Sequence, residues 1–435
     1  MGGGAREHAI GRALARSEGV ELYVFSKHTN PGLAALAKGY ENGDETNPRA
    51  VAAYAMRVKA DVAAIGPEAP LAAGVSDALA LQGVKVAAPS QAAAEIETSK
   101  RFMRELLSKH RVPGNLAFHY FEEAGAAKRK LKENNLHWAV KPVGLTGGKG
   151  VRVYGDHFTT FEEGATYIDE VVRQGGVLLE ELARGEEFTL QALSDGHRLL
   201  PTIAVQDHKR LLPDDKGPNT GGMGSYSQAD HLLPFLTRNA WEDALQILRR
   251  VIAALAAAGR PYVGPIYGQF MLTLDGPKLI EINARFGDPE AMNVLHLLGS
   301  NYAELCLRMA EGRLSEAHAE FERHATVVKY VVPEGYGVKP KPGAEVHVDE
   351  AAIRKAGAEA YYASVDAVRP GVVKTTASRA IAVLGAGETL REANESCEDG
   401  LKHVKGPNLF VRHDIGTQRL IEKRLKHMNL LAKGA

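Results

Sequence analysis

At 435 residues the chain has room for about three domains, and 45% hydrophobic with 24% charged residues is the make-up of a globular protein. Its 53 lysines and arginines match its 53 aspartates and glutamates, which removes the overall electrostatic case for a nucleic-acid or anionic-membrane binder. Two cysteines, Cys306 and Cys397, far apart and in no CxxC pair, exclude a disulfide framework or a zinc cage. The apolar run at 251–258 falls far short of the ~20 residues that cross a bilayer. Arg6, Glu7 and His8 stand where a secretion signal would carry its apolar core, so a cytoplasmic protein is expected.

In chain order, Gly2-Gly3-Gly4 reads as a strand-to-helix loop with no strand before it: either the first strand is missing, or the glycines are a floppy end. Helices are expected over 6–16, 48–59 and 70–81, with Pro48 suited to a first turn. Strands are expected over 20–25, 61–66 and 84–87. This alternation indicates a parallel sheet covered on both faces. From 137 the pattern becomes strand (137–141), glycine-rich loop (144–150) and strand (151–154). A helix over 161–174 and a strand over 177–180 follow. Residues 187–193 and 198–205 pair around Ser194-Asp195-Gly196-His197. Residues 206–227 show no periodicity and read as a long functional or disordered loop. Trp241, Leu245, Leu248, Ile252 and Leu255 share one helical face, stopped by Gly259 and Pro261. Strands over 267–274 and 278–283 flank Asp275-Gly276-Pro277, a hairpin signal. Beyond about residue 325 a further α+β unit holds strands near 326–332, 361–366 and 379–384, and a helix over 388–404.

Three segments carry chemistry. In 141–151, Lys141 and Lys149 accompany Gly144, Gly147, Gly148 and Gly150. A flexible glycine loop can turn backbone N–H groups toward phosphate oxygens while lysines supply charge. It is no Walker A loop, because only three residues separate Gly144 from Gly148-Lys149 and a strand follows. In 281–290, Glu281 and Asn283 are two apart on a strand and share a face, a pair of hard oxygen donors suited to Mg²⁺ on a substrate phosphate. A three-residue hairpin loop would set Gln269 opposite Asn283 on that face, whereas a two-residue loop would turn it away. Arg285 could reach a transferring phosphoryl group. The third segment, Gln206-Asp207-His208-Lys209-Arg210 through 215–224, joins cations to glycines able to form an anion nest, with an organic phosphate as its guest. With no nucleophile in evidence, the set suits phosphoryl transfer by positioning and charge neutralisation.

These strings, together with Gly3-Gly4-Ala5-Arg6-Glu7-His8-Ala9, Gly66-Pro67-Glu68-Ala69-Pro70-Leu71 and Ser99-Lys100, resemble the phosphoribosylamine–glycine ligase family of ATP-grasp enzymes over most of the chain. The resemblance implies an α/β and α+β multidomain fold. Its parts are a biotin-carboxylase-like N-terminal parallel sheet (1–98, first strand apparently missing), an ATP-grasp pair (99–320, lid about 112–183) and a small α+β C-terminal domain (325–428). It implies that ATP meets Lys100, Lys141, Gly147, Gly148 and Lys149. Glu180, Glu181 and Leu182 form the adenine-side hinge, and Glu187 takes the ribose. Gln269, Glu281 and Asn283 hold Mg²⁺ or Mn²⁺, and Lys141 and Arg285 act on the reacting phosphoryl group. Asp207, Lys209, Lys216, Asn219, Gly222, Met223, Gly224, Asp288 and Pro289 are assigned to substrate. The implied substrates are glycine and 5-phosphoribosylamine, joined through a glycyl phosphate by a monomer or weak oligomer with no nucleic-acid or membrane partner. A lid and an ordered loop are required to keep water from an acyl phosphate. The Gly144–Gly150 loop and residues 206–227 are expected to serve as those two pieces.

Overall fold

A computed structural model describes residues 1–144 and 150–434. The expected N-terminal parallel sheet is present as two short parallel pairs, Tyr23–Ser26 with Gly39–Asn42 and Val62–Ala63 with Lys85–Val86. Residues 1 and 2 lie between the pairs. Gly2 donates its N–H to Phe25 O at 3.0 Å, the Met1 amine donates to Ala64 O at 2.8 Å, and Met1 O accepts the N–H of Gly66 at 3.1 Å. Gly2 and Gly3 are buried, so the glycines are a packed turn into the helix Ala5–Ala15 and not a floppy end. At Gly2 the backbone has φ +107, and a Cβ there would lie 2.5 Å from Glu7 Cγ.

The region expected to be the lid holds a four-stranded antiparallel sheet in the order Phe118–Phe121, Val177–Glu181, Trp138–Pro142, Arg152–Val153, backed by the helices Ala124–Glu133 and Phe161–Val172. Its core, including Leu131, Trp138, Val140, Ile168 and Leu179, is a cluster separate from the rest of the protein. Thr160 and Glu163 form a capping box that starts the second helix.

A nine-stranded sheet forms the centre of the scaffold, and a separate four-stranded sheet in the order Val365–Arg369, Val372–Thr375, Glu345–Val348, Val404–Lys405 lies in the C-terminal part. The larger sheet runs from the edge strand Gly276–Asn283 through Val263–Thr273, Glu186–Asp195, Leu199–Asp207 and Gly224–Ser227. It continues into Ala325–Pro333, Ile381–Gly387 and Ala358–Tyr362, with Leu409–Phe410 paired off the main path. The C-terminal α+β unit therefore shares its sheet with the central one. The joint is Gly224–Ser227, within the segment expected to be a loop. That segment also holds the antiparallel strands Arg210–Leu212 and Lys216–Asn219.

Strand Glu186–Asp195 is buried along nearly its whole length, as a strand covered on both faces must be. One cover is the helix Arg238–Ala257, capped by Thr237, which buries Leu245, Leu248, Ile252 and Leu255 on the expected face. A last helix, Gln418–Lys433, returns along the sheet and brings Arg424 and His427 to Glu186.

Candidate active site

Lid, central sheet, N-terminal part and C-terminal part enclose a cleft of about 750 Å³. Of the residues expected at a site, Lys100, Lys141, Glu181, Leu182, Glu187, Asp207, Lys209, Asn219, Glu281, Asn283, Arg285 and Asp288 line it. Gly147, Gly148 and Lys149 lie outside the described residues.

Lys100 opens the helix Lys100–Lys109, whose N-cap Ser99 accepts the N–H of Phe102. Its Nζ donates to Gly144 O at 2.9 Å, and burial lowers its pKa against the pull of Glu281. Lys141, on the strand Trp138–Pro142, places Nζ 2.5 Å from Glu180 Oε2. Glu180 is fully buried and does not face the cleft, a correction to its place in the expected hinge. Successive strand residues point to opposite sides, so Glu181 reaches the cleft and Glu180 turns inward to Lys141 and Arg104. Burial would raise the Glu180 carboxyl, but Arg104 and Lys141 hold it at about 2.

The hairpin closes through a two-residue loop, Thr273 pairing with Gly276, so the regular register would turn Gln269 away from Glu281. A bulge restores the face: Phe270 pairs with Leu279 but Gln269 with Glu281, leaving Ile280 unpaired, and Tyr267 pairs with Asn283. Gln269 is nonetheless no open ligand. It is fully buried, its Oε1 accepts the Tyr267 hydroxyl, and its Nε2 donates to Glu187 Oε2 at 2.9 Å. Glu281 and Asn283 both line the cleft. Among the described residues no group of three or more His, Cys, Asp or Glu side chains forms a metal cage. A Mg²⁺-type ion held by one or two carboxylates plus substrate phosphates requires none, so this donor pair fits it.

Lys209 Nζ sits among three carboxylates, 3.8 Å from Glu187, 3.9 Å from Glu281 and 4.0 Å from Asp207. Burial would lower its pKa, but these neighbours and Glu290 raise it. Burial pushes the Asp207 carboxyl up and Lys209 pulls it down. The negative charges of Glu290, Glu187 and Glu281 push it up again, to about 7. Desolvation in the cleft would raise the half-buried Glu281 carboxyl, but Lys209, Lys141, Lys100 and Arg285 hold it below its ordinary range.

Arg285 reaches the cleft between two carboxylates, with Glu97 Oε1 at 3.0 Å from Nη2 and Glu68 Oε2 at 3.3 Å from Nε. Arg6 adds a second cation, its Nε 2.7 Å from Glu7 and its Nη1 donating to Phe286 O. Glu68, Glu97 and Arg6 were not among the expected site residues. Arg6 and Glu68 lie inside strings that carry the resemblance, and Glu97 is two residues before Ser99, so a wider reading of those strings was the available signal.

The expected substrate loop divides. Asn219 lines the cleft, whereas Lys216 is exposed on its strand and lies outside the lining. Met223 is fully buried in the core, and Gly224 packs under Val328 O within the sheet. These three positions do not face the cleft, a correction to their expected role. Gly222, at φ +108, lies against Pro289, where a Cβ would come 2.8 Å from Pro289 Cδ. Pro289 itself caps the helix Glu290–Leu297 outside the lining. Arg379, unanticipated, ties this corner together. It donates to Gly221 O at 2.5 Å, to Gly222 O at 3.2 Å and to Asp288 O at 3.0 Å, and pairs with Asp288 Oδ2 at 2.9 Å. The Tyr330 hydroxyl donates to the other Asp288 oxygen at 2.5 Å, so this carboxylate is already engaged. Arg424, also unanticipated, lines the cleft while pairing with Glu186 at 3.2 Å and Asp215 at 2.6 Å.

Three family matches cover the chain in order: the N domain of phosphoribosylglycinamide synthetase over residues 1–97, its ATP-grasp (A) domain over 98–291 and its C domain over 326–418. The chain is 46% identical to a phosphoribosylamine–glycine ligase of Pyrococcus abyssi, covering 100% of this chain and 97% of that protein. It is 48% identical to one of Methanoregula boonei, covering 99% of each. Its fold is similar to the crystal structure of the Thermotoga maritima phosphoribosylamine–glycine ligase, with TM-score 0.79 and 24% identity over 95% of this chain and 98% of that one. It is also similar to a Campylobacter jejuni biotin carboxylase, with TM-score 0.72 and 15% identity over 99% and 97%.

Proposed function

The chain belongs to the phosphoribosylglycinamide synthetase family, and we propose that the cleft is where it carries out that family's ATP-dependent ligation of glycine to 5-phosphoribosylamine. The products are glycinamide ribonucleotide, ADP and phosphate, within purine biosynthesis. One observation carries the assignment. Glu281, on the hairpin, lies 3.9 Å from Lys209 and lines the same cleft as Lys141 from the antiparallel sheet 118–181, Lys100 from the helix Lys100–Lys109, and Arg285. Cations from several elements converging on one oxygen-donor face form the clamp that a triphosphate with its metal requires.

In this reading Lys100 and Lys141 take phosphate oxygens of ATP, Glu181 and Leu182 border the base, and Glu187, braced by Gln269, takes ribose hydroxyls. Glu281 and Asn283 would hold Mg²⁺ or Mn²⁺, which supplies charge neutralisation on the phosphates. The glycine carboxylate attacks the γ-phosphorus and ADP leaves; the amine of phosphoribosylamine then attacks the glycyl carbonyl and phosphate leaves. Arg285, fixed by Glu68 and Glu97, stabilises the phosphoryl group in transfer without having to reorganise. The lid, with its own core, closes over the acyl phosphate and keeps water from it. The Asn219–Gly222 turn and Asp288, locked by Arg379, form the wall offered to the sugar phosphate.

The two free, buried thiols Cys306 and Cys397 suit a reducing cytoplasm. Among the described residues no helix is long and apolar enough to cross a membrane. Phosphate release measured with ATP and Mg²⁺ tests the reading. It must require both glycine and phosphoribosylamine; release with another acid or amine in place of either, and none with this pair, overturns it.

A further inference from the structure

Arg104 is fully buried, and its guanidinium makes five hydrogen bonds. Nε and Nη2 grip the two oxygens of Glu180 at 3.1 and 2.9 Å, Nη1 donates to Asn115 Oδ1 at 2.9 Å, and the remaining bonds reach Leu279 O at 3.0 Å and Ile280 O at 2.8 Å. A guanidinium carries five N–H donors, so none is left over.

Both ends of this contact set are informative. Consecutive residues of a regular strand send their carbonyls to opposite edges. Here Leu279 and Ile280 send theirs to the same arginine, at the bulge that leaves Ile280 unpaired. That bulge turns Glu281 toward the cleft. The strand Gly276–Asn283 is at the sheet edge, and on its outer side at the bulge the Leu279 N–H donates to Gly114 O at 2.8 Å while Arg104 takes the Leu279 and Ile280 carbonyls. At the other end, Glu180 Oε2 is shared between Arg104 and Lys141 Nζ, at 2.9 and 2.5 Å. One side chain thus fixes the lid lysine and the hairpin carboxylate.

We propose that Arg104 is a positioning residue that sets Lys141 and Glu281 relative to each other, and so tunes how the cleft takes a nucleotide together with its metal. This rests on the roles given above to Lys141 and Glu281. Lysine in its place would keep the charge beside Glu180, but a single ammonium cannot also span Asn115 and two carbonyls.

The test is titration of the full chain with mant-ATP and MgCl₂, without glycine or phosphoribosylamine, in wild type and Arg104→Lys, with melting temperature and circular dichroism as controls of folding. Folded Arg104→Lys is expected to need roughly tenfold more Mg²⁺ for half-saturation, and to bind the nucleotide correspondingly more weakly. A residue that only holds the fold would lower the melting temperature and leave both values as in wild type, which overturns the proposal. Should Arg104→Lys not fold, Asn115→Ala, which removes one of the five bonds, is expected to shift both values in the same direction by roughly twofold or more; unchanged values again overturn it. A wild-type chain that bound no nucleotide would sink the reading of the cleft and this inference with it. Normal wild-type binding with an unaltered Arg104→Lys sinks this inference alone.

Discussion

Glu97 holds Arg285 by side chain and backbone together: Oε1 lies 3.0 Å from Arg285 Nη2, while Oε2 accepts the N–H of the preceding residue, Ala284, at 2.7 Å. The carboxylate comes from the helix Gln91–Thr98, so the N-terminal part of the chain sets the aim of a cation at the end of the central hairpin. Arg285→Ala is expected to lower kcat by roughly 10²-fold with little change in the KM for ATP, the signature of a group used in the transition state. Glu97→Gln keeps the acceptor for Ala284 but removes the charge facing Arg285, and should fall between the two. Steady-state phosphate release checks both, and an unchanged kcat in Arg285→Ala would remove that side chain from the chemistry.

Lys209 is the cation between Glu187, Asp207 and Glu281. Replacing it with methionine leaves three carboxylates facing one another, and a divalent ion then becomes their main source of relief. Lys209→Met is expected to melt roughly a few degrees lower than wild type in chelator. It should also gain more from added Mg²⁺ than wild type does. Equal Mg²⁺ shifts in the two proteins, read by scanning calorimetry, would count against the cleft as the cation site.

Glu281→Ala removes the carboxylate that lies 3.9 Å from Lys209 and shares the cleft lining with Lys100, Lys141 and Arg285. ATP turnover should fall below roughly one-thousandth of wild type, while the melting temperature changes by only a few degrees because the side chain borders the cleft and not the core. Near-normal turnover would refute its role at the metal.

Much of this arrangement was legible in the sequence because it rests on local periodicity. The helix Arg238–Ala257 shows its buried stripe in the 3.6-residue spacing from Trp241 to Leu255, and Asp275-Gly276 announces the hairpin. The place of Glu180 was also readable, since two adjacent strand residues cannot both face one cleft. Residues 206–227 were opaque for a backbone reason. Asp214, Asp215 and Gly217 take φ of 62, 58 and 78, and with Pro213 and Pro218 they erase the two-residue alternation although strands pair on either side. The bulge at Ile280 was beyond reach because its stabiliser, Arg104, is 176 residues away. Arg379 was hidden likewise, 91 residues from Asp288. Neither pairing leaves a mark in spacing.

Glu68 offers a pH-dependent check. Burial alone would raise its carboxyl above 4.5, yet Arg285 and Arg6 bring it down to about 2. A folded-state value below the unfolded one means that the ionised group stabilises the fold at pH above about 4.5, and that this contribution fades as pH falls toward about 2. Glu68→Gln should therefore melt below wild type at pH 6, with the gap narrowing steadily between pH 4.5 and 3. The side chain is 38% exposed, so solvent screening keeps the gap to a few degrees. A gap that stayed constant across that range would show that Glu68 contributes packing and not charge.

Arg379 belongs to the wall of the cleft and not to the end proposed for the nucleotide. Its guanidinium collects the carbonyls of Gly221, Gly222 and Asp288 and the Asp288 carboxylate, lies 4.5 Å from the centre of the Tyr330 ring, and among the described residues makes no hydrogen bond to Lys100, Lys141, Glu281 or Asn283. Removing it leaves the half-buried Asp288 carboxylate with only the Tyr330 hydroxyl and frees the glycine turn. Arg379→Lys, which keeps the charge but loses the planar fork, is expected to raise the KM for phosphoribosylamine roughly tenfold while the KM for ATP stays within about twofold. Arg379→Ala should go further in the same direction. Initial rates with each substrate varied in turn distinguish the outcomes. A rise in the KM for ATP of the same size as that for the amine would mean that Arg379 supports the whole cleft, and that the wall formed by Asn219–Gly222 and Asp288 is not specific to the sugar phosphate.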